Sequence, residues 1–277
     1  MGVQTGNVLL QIAFLLYVSS LAGYLIFLVR QKDRIQKISF YLIALGVGVH
    51  LAGTLTLGVT IRSLPVQNLV QSLSMSALAL GAMFLYVQYK FNLKMLGLFA
   101  ALILSITMLA ALVLPDTQAP PNDAFKGVWF YSHILMIFAG DAALGLACGA
   151  GILYLLQEKG IKARNPGFFF KRLPSLDFLD DVSHACITTG FFLLTLGLVT
   201  GFVYAKVLWG HFWRWDFKEL FSMGAWLVYA VLLHLRFYAG WRGRKSAIMT
   251  IVGFAIIVFT FLGVNLLLGG HHQEFTK

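Results

Sequence analysis

Charge is scarce in this chain. Lys, Arg, Asp and Glu supply 12% of its 277 residues, about half the roughly 25% of an average soluble domain. Mean hydropathy is +0.80 and 59% of residues are hydrophobic, so a water-soluble globule is excluded and lipid is the expected solvent. Cysteine is rarer still. Cys148 and Cys186 are the only two, both in apolar runs; they form no CxxC, which excludes a thiol relay or a zinc site built on cysteine pairs. Strict apolar–polar alternation is missing, which argues against a transmembrane β-barrel. The N-terminus has no basic region and no small-residue cleavage site, so the first apolar run is expected to be a retained span.

Long apolar runs dominate. Eight are long enough to cross a hydrocarbon core of about 30 Å, at about 7–29, 39–61, 69–88, 95–114, 129–156, 182–206, 220–236 and 247–268. The expected fold is all-α, a polytopic transmembrane helical bundle forming one domain over 1–277. The third run carries Gln71, Ser72, Ser74, Ser76 and Gln88, a composition that suits contact with protein rather than lipid. Pro115, Pro120 and Pro121 block helix continuation after the fourth run. No fixed-period repeat is present.

The net charge of +10 would raise nucleic acid as a partner in a soluble protein. Here topology accounts for it, and no nucleic acid is expected. Segments 30–38, 89–94, 157–181 and 236–246 carry 15 of the 21 Lys and Arg residues. The richer side is expected to be cytoplasmic. Both termini, the 115–128 connection and the tryptophan-rich segment 207–219 then face the opposite, periplasmic or lumenal side.

That segment contains WGHFWRWDFKE, residues 209–219, with Trp209, Trp213 and Trp215 in seven positions, followed by Asp216, Lys218 and Glu219. An interfacial aromatic belt explains one such tryptophan. Three, with acids embedded among them, fit better a platform for a flat apolar ligand. Seven histidines accompany it: His50, His133, His184, His211, His234, His271 and His272. Neutral imidazole ligates heme iron, zinc and copper. A tryptophan-rich surface suits heme, which needs an apolar face, axial ligands and cations for its propionates; Arg214 and Lys218 are the candidate cations. A single histidine near a helix end is equally compatible with a structural role, and His184 and His234 keep that alternative. Asp141, an acid within a span, is either functional or hydrogen-bonded within the bundle.

The stretch WGHFWRWDFKELFSMGAWLVYAVLLHLR, 209–236, resembles the tryptophan-rich region of the cytochrome c assembly proteins, a heme-handling superfamily that includes CcsA/ResC-type synthesis subunits and CcmC-type heme handlers. The matching positions are Trp209, Gly210, Trp213, Trp215, Asp216, Lys218, Glu219, Trp226, Tyr229, His234 and Arg236. The tail GVNLLLGGHHQEF, 263–275, is similar to the family's close, and VHLAGTLTLGVTIRSLPVQNLVQSL, 49–73, to the His-bearing second helix of the CcsA type. The chain departs from the pattern at Phe217, where proline is usual, at the additional His271, and at Gln71, which replaces an acid.

The resemblance implies cytochrome c biogenesis. His133 and His272 would be axial ligands of heme iron on the outer face, flanking Trp209, Trp213, Trp215, Asp216 and Glu219. His234 would serve a second, intramembrane heme station, with His50 or another subunit's histidine as its partner. The ligand is heme b, held transiently and presented for thioether attachment to an apocytochrome c CxxCH, as in a cytochrome c heme lyase (synthase) component. No residue is assigned a catalytic role. The implied partners are apocytochrome c and a second membrane subunit with a large outer domain, CcsB/ResB-like. The implied location is the bacterial inner membrane or the thylakoid membrane. A heme transporter or chaperone feeding a separate ligation factor is the alternative, with a non-catalytic heme-binding membrane subunit behind it.

Overall fold

In the computed structural model the described residues are 2–115, 127–163 and 172–263. Among them every long element is a helix, and eight helices are long and apolar enough to cross a membrane. They are α1 (Gly2–Arg30), α2 (Asp33–Ile61), α3 (Leu69–Phe91), α4 (Leu96–Val113), α5 (Val128–Lys162), α6 (Leu176–Trp209), α7 (Phe217–Tyr238) and α8 (Arg244–Val258), the last running into a π-helical turn, Phe259–Gly263. The protein is an integral, all-α membrane protein. His271 and His272 lie outside the described residues.

The number of spans agrees with the apolar runs, but several helices are longer. α5 and α6 have 35 and 34 residues, against the roughly 20 that cross a bilayer. Their polar ends remain helical because they are locally supported. Lys162 pairs with Glu158 one turn away at 2.7 Å, a spacing that stabilises helices. Ser175 accepts from the Phe178 amide at the start of α6.

The chain divides into two compact units, one holding α1–α4 and the other α5–α8. In the first, α1 packs against α2 and α4, and α3 against α4. Its core is built on fully buried Tyr17, Tyr24, Phe84, Leu104 and Met108. Glycine admits the tyrosine rings: a Cβ at Gly46 would lie 2.7 Å from Tyr17 Cε1. Leu15, Leu45, Leu55 and Val59 point outward, as lipid-facing residues do.

The second unit is organised around α5, whose apolar window is 67% buried against 28% for α6, α7 and α8. Small residues make this possible. A Cβ at Gly140 would sit 2.9 Å from the Leu194 amide nitrogen, and one at Gly190 would sit 3.0 Å from the Gly140 carbonyl. The backbones of α5 and α6 therefore approach as closely as small-residue membrane interfaces permit. α8 packs on α5 and α7, and the Tyr229 hydroxyl donates to the Thr250 carbonyl at 3.1 Å. At the far end of α6 from the tryptophans, Asp180 forms a buried ion pair with Arg236 and also accepts from the Gly243 amide. This ties the α7–α8 connection to the start of α6.

Candidate functional site

The tryptophan-rich connection is built by two helix ends. α6 stops at Gly210, whose φ of +79° is the left-handed conformation that glycine adopts without penalty. α7 starts with a capping box: the Asp216 side chain accepts from the Glu219 amide, and Glu219 reaches back to the Asp216 amide. Glu219 Oε2 accepts from the amides of Arg214, at 2.9 Å, and Asp216, at 3.3 Å. Both acids thus hold the shape of the connection.

Between these caps the aromatics form a partly open surface. Trp215 is 82% exposed, Phe212 is exposed, and Trp209 and Trp213 are half-buried. Trp213 and Trp215 meet edge to face at 5.8 Å, a favoured aromatic geometry. The Arg214 guanidinium lies over the Trp209 ring at 5.0 Å, and Lys206 Nζ over Phe212 at 5.5 Å. Trp215 has φ +60°, a genuine outlier for so bulky a residue. The buried indole N–H of Trp213 has no acceptor among the described residues.

His133 stands on α5, one turn beyond Phe130, facing α6. Its Nδ1 is 2.7 Å from the Gly197 carbonyl. A carbonyl only accepts, so Nδ1 carries the proton and the lone pair of the neutral ring lies on Nε2. Metal-ligating histidines are oriented in this way. Aromatic rings close to His133 along α5 and α6 pack toward the tryptophans. Phe130 packs on Tyr204, which packs on Trp209. Phe202, next to the Gly201 that abuts the His133 ring, packs on Trp213. The site residues His133, Trp209, Trp213, Trp215, Asp216 and Glu219 therefore gather at one end of the α5–α6–α7 unit.

The other described histidines have different settings. His50 is fully buried among α1–α3, with Nδ1 3.2 Å from the Tyr17 hydroxyl and Nε2 2.9 Å from Ser74 Oγ. Both ring nitrogens are engaged, so binding iron there requires breaking one of these bonds. His234 projects from the exposed face of α7, its ring 4.6 Å from that of Tyr238. His184 meets Phe237 edge-on at 5.8 Å, and its buried Nδ1 has no partner among the described residues. His211 is exposed in the connection itself. Among the described residues no group of three or more His, Cys, Asp or Glu is placed to hold a metal ion. Gly197 and Gly201 stand out by no motif in the sequence. The signal available for them is their i, i+4 spacing on the α6 face that meets α5.

The sequence model of the Cytochrome C assembly protein family matches residues 66–272. The chain is 32% identical over 238 residues to cytochrome c biogenesis protein CcsA of Prochlorococcus marinus (strain NATL1A), covering 76% of each chain. It is 30% identical over 257 residues to the CcsA of Gloeothece citriformis, covering 76% of this chain and 78% of that one. Among solved structures, Cytochrome c Heme Lyase CcmF superposes with a TM-score of 0.67 at 16% identity, covering 95% of this chain. The chain spans about half of that lyase, 47% of its length, and the likeness is one of fold. His50 lies N-terminal to the family match.

Proposed function

Because the chain belongs to the cytochrome c assembly protein family, in its CcsA-type branch, and so to cytochrome c biogenesis, we propose that it holds heme b as a substrate and presents it to apocytochrome c. His133 and His272 are the axial ligands on the periplasmic or lumenal face. Trp209, Trp213 and Trp215 supply the apolar surface, and Arg214 and Lys218 meet the propionates. The Trp213 indole N–H is a further donor toward the ligand. Each thioether forms by addition of a cysteine S–H across a heme vinyl group, so the protein's task is to position reactants; the reactivity resides in heme and thiol. Asp216 and Glu219 maintain the platform rather than transfer protons. His234, exposed on α7, is the ligand of a second heme station and takes its other ligand from another chain. That role, and the large outer domain needed to bring the apocytochrome, fit a CcsB/ResB-like partner.

The observation carrying this reading is that the oriented His133 ring abuts α6 at Gly197 and Gly201, within a turn of Phe130, Phe202 and Tyr204, whose rings pack toward Trp209 and Trp213. This arrangement joins an oriented imidazole to an exposed aromatic surface. The test is the reduced visible spectrum of the detergent-purified protein, intact and as His133→Ala and His272→Ala. A bis-histidine spectrum that weakens or turns high-spin in both variants supports the reading. An unchanged spectrum in both places heme elsewhere and overturns it. Persistence of c-type cytochromes in cells lacking the protein would instead identify a resident b-type heme subunit.

A further inference from the structure

We infer that Gly197 and Gly201 form a positioning cradle on α6 that fixes the tautomer and placement of the His133 ring. The inference rests on the reading that His133 ligates heme iron, and it assigns to the opposite helix a role that the tryptophan motif does not contain.

The two glycines act differently. Gly197 offers its carbonyl to Nδ1 at 2.7 Å. Gly201, one turn later on the same face, supplies space. A Cβ there would lie 2.6 Å from Nδ1 and 2.7 Å from Cε1 of His133, and its three nearest neighbours would all be atoms of that ring. The ring therefore occupies the space where any side chain at position 201 would stand. Without the carbonyl the imidazole is free to rotate, and a Cβ at position 201 pushes it away from α6; either way the Nε2 lone pair loses its fixed direction. Outer-shell partners of this kind raise ligand basicity and hold ring orientation.

Position 201 is informative because its side-chain space is claimed by the histidine ring. Gly201→Ala gains helix propensity but pushes the His133 ring off its carbonyl partner and loses that hydrogen bond, so its thermal midpoint is expected to change little. A Cβ at Gly197, by contrast, would meet Ile137 at its side chain and, at 3.1 Å, at its backbone nitrogen. Gly197→Ala is therefore expected to lower the midpoint by separating α5 from α6.

The experiment uses the full-length protein in detergent with hemin as the probe. Gly201→Ala is expected to weaken heme retention roughly 10- to 100-fold, the usual effect of losing an outer-shell partner, with partial conversion to a high-spin spectrum and a raised heme midpoint potential. In a His133→Gly background supplied with free imidazole, Gly201→Ala is expected to add nothing, because the tethered ring is gone. If His133→Ala changes the spectrum and Gly201→Ala changes neither affinity nor potential, the cradle is overturned while the ligand assignment stands. If His133→Ala changes nothing, the ligand assignment itself falls and the cradle's role in heme binding falls with it. Nitrogen NMR of histidine-labelled, heme-free protein tests the cradle independently. His133 is expected to carry its proton on Nδ1 in the intact protein and to become a tautomer mixture in Gly201→Ala. A protonated Nε2 in the intact protein overturns the proposal whatever heme does.

Discussion

The carboxylate of Asp180 and the guanidinium of Arg236 meet through two parallel hydrogen bonds of 2.7 and 3.0 Å, with side chains only 9% and 4% exposed. The pair joins the N-terminal end of α6 to the last turn of α7, and Asp180 additionally holds the Gly243 amide. Breaking a buried pair from one side leaves an uncompensated charge and costs about 3–5 kcal/mol. Asp180→Ala and Arg236→Ala are each expected to lower the thermal midpoint in detergent strongly, while the double substitution Asp180→Leu, Arg236→Met recovers most of the loss. Heme retained per folded molecule should stay constant across the series. A heme deficit beyond the loss of folded protein would mean that the pair also acts on His234, two residues from Arg236.

Glu219 separates a scaffolding role from an acid–base role. Its Oε2 holds the Arg214 and Asp216 amides, and loss of such a cap costs about 0.5–2 kcal/mol. Glu219→Ala is expected to lower both the thermal midpoint and heme retention by loosening the tryptophan-rich connection. Glu219→Gln keeps an acceptor oxygen and should restore most of both. Cytochrome c maturation that fails with glutamine while heme retention is normal would show proton transfer by this residue.

Much of this architecture is legible in the sequence, for identifiable reasons. Lipid demands helices of a minimum apolar length, so eight runs announce eight spans. The segment 209–219 concentrates its chemistry within one turn and two caps, so aromatics, cations and capping acids are visible together. Contacts between distant segments are not visible. That His133 meets the Gly197 carbonyl 64 residues away depends on how closely α5 and α6 cross at Gly140 and Gly190. Helix ends are not visible either, for the same kind of reason. Hydropathy marks where lipid stops, whereas hydrogen bonding and side-chain pairs such as Glu158–Lys162 decide where a helix stops. The partition into two units is likewise a matter of packing, and apolar composition is nearly uniform across it.

His50 is the residue for which composition and contacts point in different directions. As an intramembrane histidine it is a candidate ligand, yet both its nitrogens are already engaged, by Tyr17 and Ser74. Removing the imidazole strands two buried hydroxyls, and leaving a buried polar group unsatisfied costs about 1–3 kcal/mol. His50→Ala is expected to lower the thermal midpoint and to leave the heme spectrum of the surviving folded protein unchanged. Tyr17→Phe and Ser74→Ala should behave alike with smaller effects. A loss of low-spin heme in His50→Ala, with the midpoint unchanged, would restore His50 as a ligand.

Trp215 carries a cost that folding alone does not justify. Its backbone is left-handed at φ +60° and its ring is 82% exposed, so the residue bears strain of about 1–3 kcal/mol and recovers little of it through burial. Gly adopts this conformation freely. Trp215→Gly is therefore expected to hold or raise the thermal midpoint while weakening heme retention, because the platform loses its most exposed face. Trp215→Phe keeps an aromatic face and the strain, and should retain more heme than glycine without the gain in stability. The opposite ranking, with glycine binding heme as well as tryptophan does, would show that this ring serves the membrane interface and not the ligand. The strain and the exposure would then need an explanation in contacts with a partner chain, measurable as loss of co-purification with that chain.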